Sequence, residues 1–307
     1  MKPPVNITEN YIFYGDMMFL RNGNFVRKLG KRGQGPGEYI LALGIAVDEE
    51  REELYVYDNQ YRNIFIYDFE NNFRKQLPVN RYGKNIIRLG NGKIMLIRDM
   101  LFLDPKEDAF FEYQIIDLEN ETVLYSRTHD TRYSNRNSTW SSFWKHDNTL
   151  FYYEGMTDTI FNLQSNGEIE SPRYIVDKGK YKETSDDNYF RLSNFVESSS
   201  YLFFNINSKG SPLRYGAYNK KTGETRINEF SKFFNNDIDG GFLWLFNLTK
   251  NGEEGFYSIL PYLAKERISS LSSQNKDYNK EKNRKLRELI DKLEEDDNTI
   301  YYFFHLK

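Results

Sequence analysis

The chain has 307 residues, a formal net charge of -3 and no cysteine. The small net charge excludes the broad basic field that attracts nucleic acid or anionic lipid, and the missing cysteine excludes disulfides, thiolate catalysis and cysteine-bound zinc. Aromatic residues make up 17% of the chain, and such residues favour strands that pack between sheets. The composition therefore indicates a β-rich protein, with either two average domains or one large all-β domain.

Neither a membrane span nor an export signal is visible in the sequence. No apolar run approaches the roughly 20 residues that a membrane helix needs. Residues 1–6 lack the apolar core of a signal peptide. Taken as it stands, the sequence predicts no transmembrane segment and no export.

A pattern of short apolar runs and turn residues occurs twice in the first part of the chain. Residues 25–29 read Phe-Val-Arg-Lys-Leu and residues 73–77 read Phe-Arg-Lys-Gln-Leu, each at the end of its copy. Asn22 and Gly23, between apolar runs, are a strong hairpin signal. The offset between the copies, about 48 residues, is typical of four-stranded propeller blades.

Weaker copies of this pattern follow along the chain, so we predict an all-β fold. It is a six-bladed β-propeller of four-stranded blades that forms a single domain over residues 1–307. The glycine-rich segment 30–39 is predicted to cross from the first blade to the second. The blades are expected at residues 1–29, 30–77, 78–127, 128–177, 178–230 and 231–307.

The first blade shows only three strand signals, so its innermost strand is unassigned. The aromatic strand at 300–304 could supply it, which would join the two termini in one blade and remove an unpaired edge. Alternatively, a lost N-terminal segment carried the missing strand, and residues 300–304 belong to the sixth blade.

One amphipathic helix is predicted at about residues 276–296, before the last strand. Leu286, Leu289, Ile290 and Leu293 stand at helical spacing among charged residues. The narrow apolar stripe predicts a helix that packs on the core with a solvated outer face. A docking element for a partner is the alternative.

Residues 33–39, Gly-Gln-Gly-Pro-Gly-Glu-Tyr, resemble the hallmark of a six-bladed β-propeller family of Bacteroides-type bacteria. Segments 158–161, 171–174 and 236–241 also fit this family. The resemblance implies an NHL-like propeller of unassigned biochemical function, exported to the periplasm or cell surface and often a lipoprotein. Thr299 replaces the usual proline, and a leader and lipobox cysteine are missing, so we expect a longer native N-terminus.

The sequence carries no recognisable catalytic constellation. Gly-x-Ser-x-Gly, His-Glu-x-x-His and P-loop patterns are missing, and His129, His146 and His305 fall in separate predicted blades. Pro36 lacks the N–H that a phosphate cradle would use. We assign no catalytic residue, cofactor or metal. A calcium site made from Asp48 or Asp58 with Asn194 is conceivable, but their spacing does not require it.

Polar residues cluster in the loops that a propeller would present on one face. The aspartates follow the second strand of their blades, and the glycine-rich segment reaches the same face. We predict a ligand-binding surface at the channel mouth, although aspartates at such positions also cap tight turns. The candidate residues are Arg32, Glu38, Tyr39, Asp58, Arg62, Asp99 and Asp158.

The leading interpretation is a non-catalytic exported scaffold that binds a ligand or protein partner on this loop face, with glycan-related ligands among the candidates. The alternative is a sugar- or lactone-directed hydrolase or lyase with its site at the channel mouth. The sequence leaves open whether the protein is an enzyme.

Overall fold

The structure is a computed structural model that describes most of the chain. The described residues are 5–79, 82–98, 109–130, 141–147, 149–155, 157–179, 190–208, 213–229, 247–248, 254–259, 261–271, 280–294 and 300–305. They form β-strands and two α-helices.

The strands of the first three sheets follow the turn signals of the sequence. The first sheet contains β1 (Val5–Ile7), β2 (Tyr11–Tyr14), β3 (Met17–Leu20) and β4 (Phe25–Lys28). The second contains β5 (Ala42–Asp48), β6 (Glu53–Asp58), β7 (Asn63–Asp68) and β8 (Phe73–Pro78). The third contains β9 (Gly83–Gly90), β10 (Lys93–Arg98), β11 (Ala109–Asp117) and β12 (Thr122–Asp130).

The remaining sheets continue the same order along the chain. The fourth contains β13 (Ser142–His146), β14 (Thr149–Glu154), β15 (Thr159–Leu163) and β16 (Ile169–Ile175). The fifth contains β17 (Phe190–Glu197), β18 (Tyr201–Ser208), β19 (Arg214–Asn219) and β20 (Thr225–Glu229). The last contains β21 (Asn247–Leu248), β22 (Glu254–Ile259) and β23 (Ile300–His305), and helices α1 (Pro261–Leu271) and α2 (Lys280–Ile290) stand between β22 and β23.

The four-stranded sheets are the blades of a β-propeller, and the described part of the chain contains five of them rather than the predicted six. Strands lie in chain order within every sheet, as expected when short turns connect successive strands. Five sheets have four strands, whereas the last has three in the described part of the chain. The prediction of six four-stranded blades is therefore wrong in its count. The predicted apolar strand at 242–246 lies outside the described residues.

The strands near the two ends of the chain show which strand is the innermost one of the first blade. β1 pairs antiparallel with β2 and completes the first sheet. β23 pairs with β22, with Ile300 opposite Ile259, so it belongs to the last sheet. The expectation that the final strand fills the first blade is wrong. The part of the alternative that assigned residues 300–304 to the sixth unit is confirmed.

The C-terminal region contains two helices where one was predicted. α2 lies inside the predicted range but ends at Ile290, and α1 was not predicted. Ala264 of α1 and Ile290 of α2 are buried together, with Leu286 and Ile300 packed against them. None of the helices in the described part of the chain is long and apolar enough to cross a membrane.

The chain forms two compact units. The first comprises residues 1–138 and 163–170, and the second comprises residues 139–162 and 171–307. In the first unit, β5 lies beside β9. In the second, β17 lies beside both β13 and β21. The single-domain organisation stays a prediction.

Both faces of the second sheet are buried, because alternate side chains of its strands pack against the sheets on either side. Leu54 and Val56 of β6 pack with residues of the first sheet. Tyr55 and Tyr57, between and beyond them, pack with residues of the third sheet. Because successive side chains of a strand point to opposite faces, an unbroken apolar run marks a strand that is covered on both sides.

Basic residues on the fourth strand of a sheet contact acidic groups of the following sheet. In the first unit, Arg27 of β4 pairs with Glu70 at 2.7 Å, and Lys75 of β8 pairs with Glu121 at 2.7 Å. In the second unit, Arg173 of β16 pairs with Glu197 at 2.7 Å. The two pairs of the first unit are solvent-exposed, so each is worth less than about 1 kcal/mol.

Candidate functional site

The glycine-rich segment 30–39 folds around its own glutamate. The Glu38 carboxylate accepts a hydrogen bond from Gly35 N at 2.9 Å and pairs with Lys31. The Lys31 ammonium, followed by the Gly35 N–H, lowers the pKa of Glu38 below its ordinary value. A Cβ on Gly33 would lie 2.0 Å from Glu38 Oε2, so the glycine makes room for this carboxylate.

Tyr39 is the last residue of the same segment, and its side chain is buried. Its hydroxyl donates to Asp16 Oδ2 at 2.5 Å, and its side chain is 3% exposed. Burial, followed by the Asp16 carboxylate, raises the pKa of Tyr39 well above its usual range. Gly30 adopts a φ of 76°, and a Cβ there would lie 2.9 Å from the Tyr39 ring. Tyr39 therefore anchors the crossover and is not available to a ligand.

Asp58 ends β6 and holds two loops together. Its Oδ2 accepts the N–H groups of Ile40 and Leu41, the latter at 3.1 Å. Its Oδ1 accepts those of Gln60 at 2.7 Å and Tyr61 at 3.0 Å. The residue is fully buried. The geometry is that of an aspartate that caps a turn, which was the alternative to ligand binding.

Asp158 lies in the second unit and is also occupied by protein groups. The Tyr153 hydroxyl donates to its Oδ1 at 2.7 Å, and the Lys178 ammonium lies 2.7 Å from the same atom. Lys178 itself is buried. Asp99 lies outside the described residues. The structure thus brings Arg32, Glu38, Tyr39 and Asp58 together in the first unit.

The two arginines differ from the carboxylates because both are exposed. Arg32 Nε donates to Ile40 O at 2.9 Å, next to the residues that Asp58 holds. The Arg62 guanidinium lies over the Tyr82 ring, 5.3 Å from its centroid. Arg62 also has a φ of 55°, which is uncommon for a residue with a side chain.

Three exposed apolar or aromatic side chains accompany these arginines, and the sequence prediction missed them. Leu41 and Tyr61 are each 39% exposed, and Tyr82 is 40% exposed. Leu41 and Tyr61 are tied to the same Asp58 carboxylate. We call the resulting patch the loop surface. It consists of Arg32, Leu41, Tyr61, Arg62 and Tyr82.

The carboxylates considered for calcium are bound by protein groups. Asp48 Oδ2 lies 2.8 Å from Arg88 Nε, and its Oδ1 accepts Arg51 N at 3.3 Å. The oxygens of Asp58 accept four backbone N–H groups. Because a calcium ion needs six to eight oxygen ligands with lone pairs to offer, neither carboxylate suits that role. Asn194 is an exposed residue of the second unit.

A buried ionic cluster in the second unit was also missed. Glu197, at the end of β17, is 2% exposed and accepts a hydrogen bond from Trp144 Nε1 at 2.8 Å. Its Oε1 lies 2.7 Å from Arg173 Nη2 and 2.6 Å from Lys220 Nζ. Arg173 stacks on Phe151, 4.3 Å from the ring centroid. We call these residues the Glu197 cluster.

The Glu197 cluster joins the fourth and fifth sheets electrostatically. Burial alone would raise the pKa of Glu197, but hydrogen bonds from Arg173, Lys220 and Trp144 outweigh burial and lower it. Arg173 falls within the segment 171–174 that resembles the propeller family, yet its ion-pair partner Glu197 is 24 residues away in sequence. No local pattern therefore points to the cluster.

Comparison with known proteins identifies a family of unknown function and structures of similar fold. The family described as "Domain of unknown function (DUF4934)" matches residues 2–305. No curated protein matches the chain. A structure of a "Putative exported protein" from Bacteroides fragilis NCTC 9343 has 16% identity and a TM-score of 0.69, covering 99% of this chain and 90% of that chain.

A member of the duf4221 family from Bacteroides vulgatus ATCC 8482 is a second similar structure. It has 11% identity and a TM-score of 0.51, and the match covers 75% of this chain and 82% of that chain. At these identities, both structures show a shared fold and nothing about a ligand.

Proposed function

The chain belongs to the DUF4934 family, a family of unknown function, and we propose that it is an exported, non-catalytic propeller scaffold that binds a partner through its loop surface. The observation that carries this proposal is that some of the predicted site residues bond within the fold, whereas others nearby are exposed to solvent. The polar atoms of Glu38, Tyr39 and Asp58 form hydrogen bonds within the fold. The arginines and tyrosines beside them face solvent.

Arginine and tyrosine are the residues that most often dominate binding energy at protein interfaces. Each has a large, rigid group that makes both apolar contacts and hydrogen bonds. The backbone beneath the loop surface is fixed by Asp58, so little ordering is needed on binding. Low ordering cost favours affinity.

The competing proposal, a hydrolase or lyase, receives less support from this arrangement. General acid or base catalysis needs a carboxyl group within reach of the substrate. In the described part of the second sheet and the segment before it, Glu38 accepts the Gly35 N–H and pairs with Lys31, and Asp58 accepts backbone N–H groups from two loops. A ligand bound there would meet guanidinium and phenol groups.

Binding should depend on the two exposed tyrosines. A screen against arrays of oligosaccharides and peptides would identify a ligand, and the variant Tyr61→Ala/Tyr82→Ala should then bind it at least about tenfold more weakly. Tyr201→Ala is a matched control, since Tyr201 is exposed and packs beside Phe203 at 5.6 Å between ring centroids, much as Tyr61 packs beside Phe65 at 6.2 Å. Equal affinity in all three proteins, or chemical conversion of the ligand, would refute the proposal.

Export is the second part of the proposal. It is supported by the sequence resemblance and by the description given to the Bacteroides fragilis protein of similar fold. We expect fractionation of the native cells, followed by detection with an antibody, to locate the protein in the periplasm or at the cell surface. Recovery with the cytoplasmic marker proteins would show that it is not exported.

A further inference from the structure

The charges of the loop surface are unbalanced. Within the described residues, no carboxylate forms an ion pair with Arg32 or Arg62. Other arginines of the first unit are paired, at distances between 2.6 and 2.8 Å from the nearest carboxylate oxygen. These paired arginines are Arg27, Arg51, Arg74 and Arg88.

Neutral groups hold both arginines in place. Ile40 O accepts the Nε–H of Arg32, which leaves the two terminal nitrogens of the guanidinium to face outward. The face of the Arg62 guanidinium is covered by the Tyr82 ring, so its N–H edge is the part that can bind. A guanidinium oriented in this way is suited to a carboxylate, which it meets with two parallel hydrogen bonds.

The backbone at Arg62 has a conformation that suits glycine. A φ of 55° is a left-handed conformation that glycine adopts without steric cost and arginine does not. Glycine would therefore fit this turn as well as arginine does. Its side chain contributes a cation and a stacked ring contact in return.

Asp58 does not neutralise these cations. Its carboxylate accepts N–H groups from residues 40, 41, 60 and 61; Ile40 O in turn accepts the Arg32 Nε–H, and residue 61 directly precedes Arg62 in the chain. The same aspartate therefore links the two loops from which the arginines extend, and its hydrogen bonds go to backbone N–H groups.

We infer that the partner is an acidic protein segment whose side-chain carboxylates bind Arg32 and Arg62 and whose apolar residues pack on Leu41 and Tyr61. This inference rests on the proposed function, because it names the partner of the same surface. A protein segment is favoured over an acidic glycan because leucine lies beside the arginines and tyrosines, a mixture typical of protein interfaces.

The test uses defined probes and the full chain. A fluorescent peptide of alternating glutamate and leucine should bind with measurable anisotropy change, and the matching glutamine and leucine peptide should bind at least about tenfold more weakly. Binding of the acidic peptide should weaken between about 0.15 M and about 1 M ionic strength, because salt screens exposed charges.

Variants assign this binding to the two arginines. Arg32→Ala/Arg62→Gly should lose about tenfold in affinity for the acidic peptide without a loss of stability, since glycine suits the backbone at position 62. Glu52→Gly is the matched control. Glu52 has a φ of 52° in a turn of the same sheet, is exposed, and should not affect binding.

The outcomes separate the inference from the function on which it rests. If the glutamine peptide binds as well as the acidic one, and only Tyr61→Ala/Tyr82→Ala weakens it, the loop surface binds partners but the acidic assignment is wrong. If polygalacturonate binds through the arginines and the acidic peptide does not, the partner is an acidic glycan. If no probe or array ligand binds, both proposals fail.

Discussion

Asp58→Ala is expected to lower the free energy of unfolding by about 3 kcal/mol or more, because it removes the acceptor of four backbone N–H groups in a buried site. Those donors belong to two different loops, at residues 40–41 and 60–61. The Asp58 carboxylate is fully buried and each of the four hydrogen bonds is partly buried, so removing the carboxylate leaves four backbone donors without their protein partner. Chemical denaturation followed by tryptophan fluorescence would measure the change.

Two further variants make this test specific. Asp58→Asn keeps one acceptor oxygen, so it should retain the hydrogen bonds to one loop. The free energy of unfolding should then fall roughly half as far as in Asp58→Ala. Asp177→Ala is the control, because Asp177 caps an exposed turn through a single N–H, from Gly179 at 2.8 Å. Its replacement should cost less than about 1 kcal/mol. If Asp58→Ala were as stable as the wild type and had lost partner binding, Asp58 would be a ligand-binding residue.

The same carboxylate explains why the site was harder to predict than the fold. An aspartate directly after a strand is equally consistent with a ligand and with a turn cap. The choice depends on which backbone N–H groups come near it, and two of the four belong to a loop 17 or 18 residues away. Leu41, Tyr61 and Tyr82 were missed for a related reason. Nothing local distinguishes an exposed tyrosine from the many buried ones.

The strands were more visible because their signal is local. The apolar run of β6 has to be covered on both faces, and residues 25–29 and 73–77 show the repeat directly. β1 was not predicted because it has only three residues and because a polar residue such as Asn6 is not typical of a buried strand. In the structure, Asn6 Nδ2 donates to Ile45 O of the second sheet at 3.2 Å. The polar residue thus serves the contact between sheets.

Glu197→Gln should be the second strongly destabilising change, at about 3 kcal/mol, because breaking a buried ion pair leaves its partners without a counter-charge. Arg173 and Lys220 would both face a neutral amide in a partly buried site. Glu224→Gln, at an exposed residue of the same unit, is the control and should change stability by less than about 0.5 kcal/mol. Adding Lys220→Met to Glu197→Gln should recover part of the loss by removing one uncompensated cation.

The pH dependence of this difference tests whether Glu197 is charged in the folded protein. Because its cationic partners lower its pKa in the fold, the carboxylate stabilises the protein fully above its unfolded-state pKa, which is about 4.3 for glutamate. That stabilisation is lost as the pH falls through the lower folded-state pKa. The stability gap between wild type and Glu197→Gln should therefore be complete above about pH 5 and should narrow in more acidic solution. A gap that stays constant down to about pH 3 would mean that Glu197 contributes through packing and neutral hydrogen bonds, and that the Glu197 cluster is not held by charge.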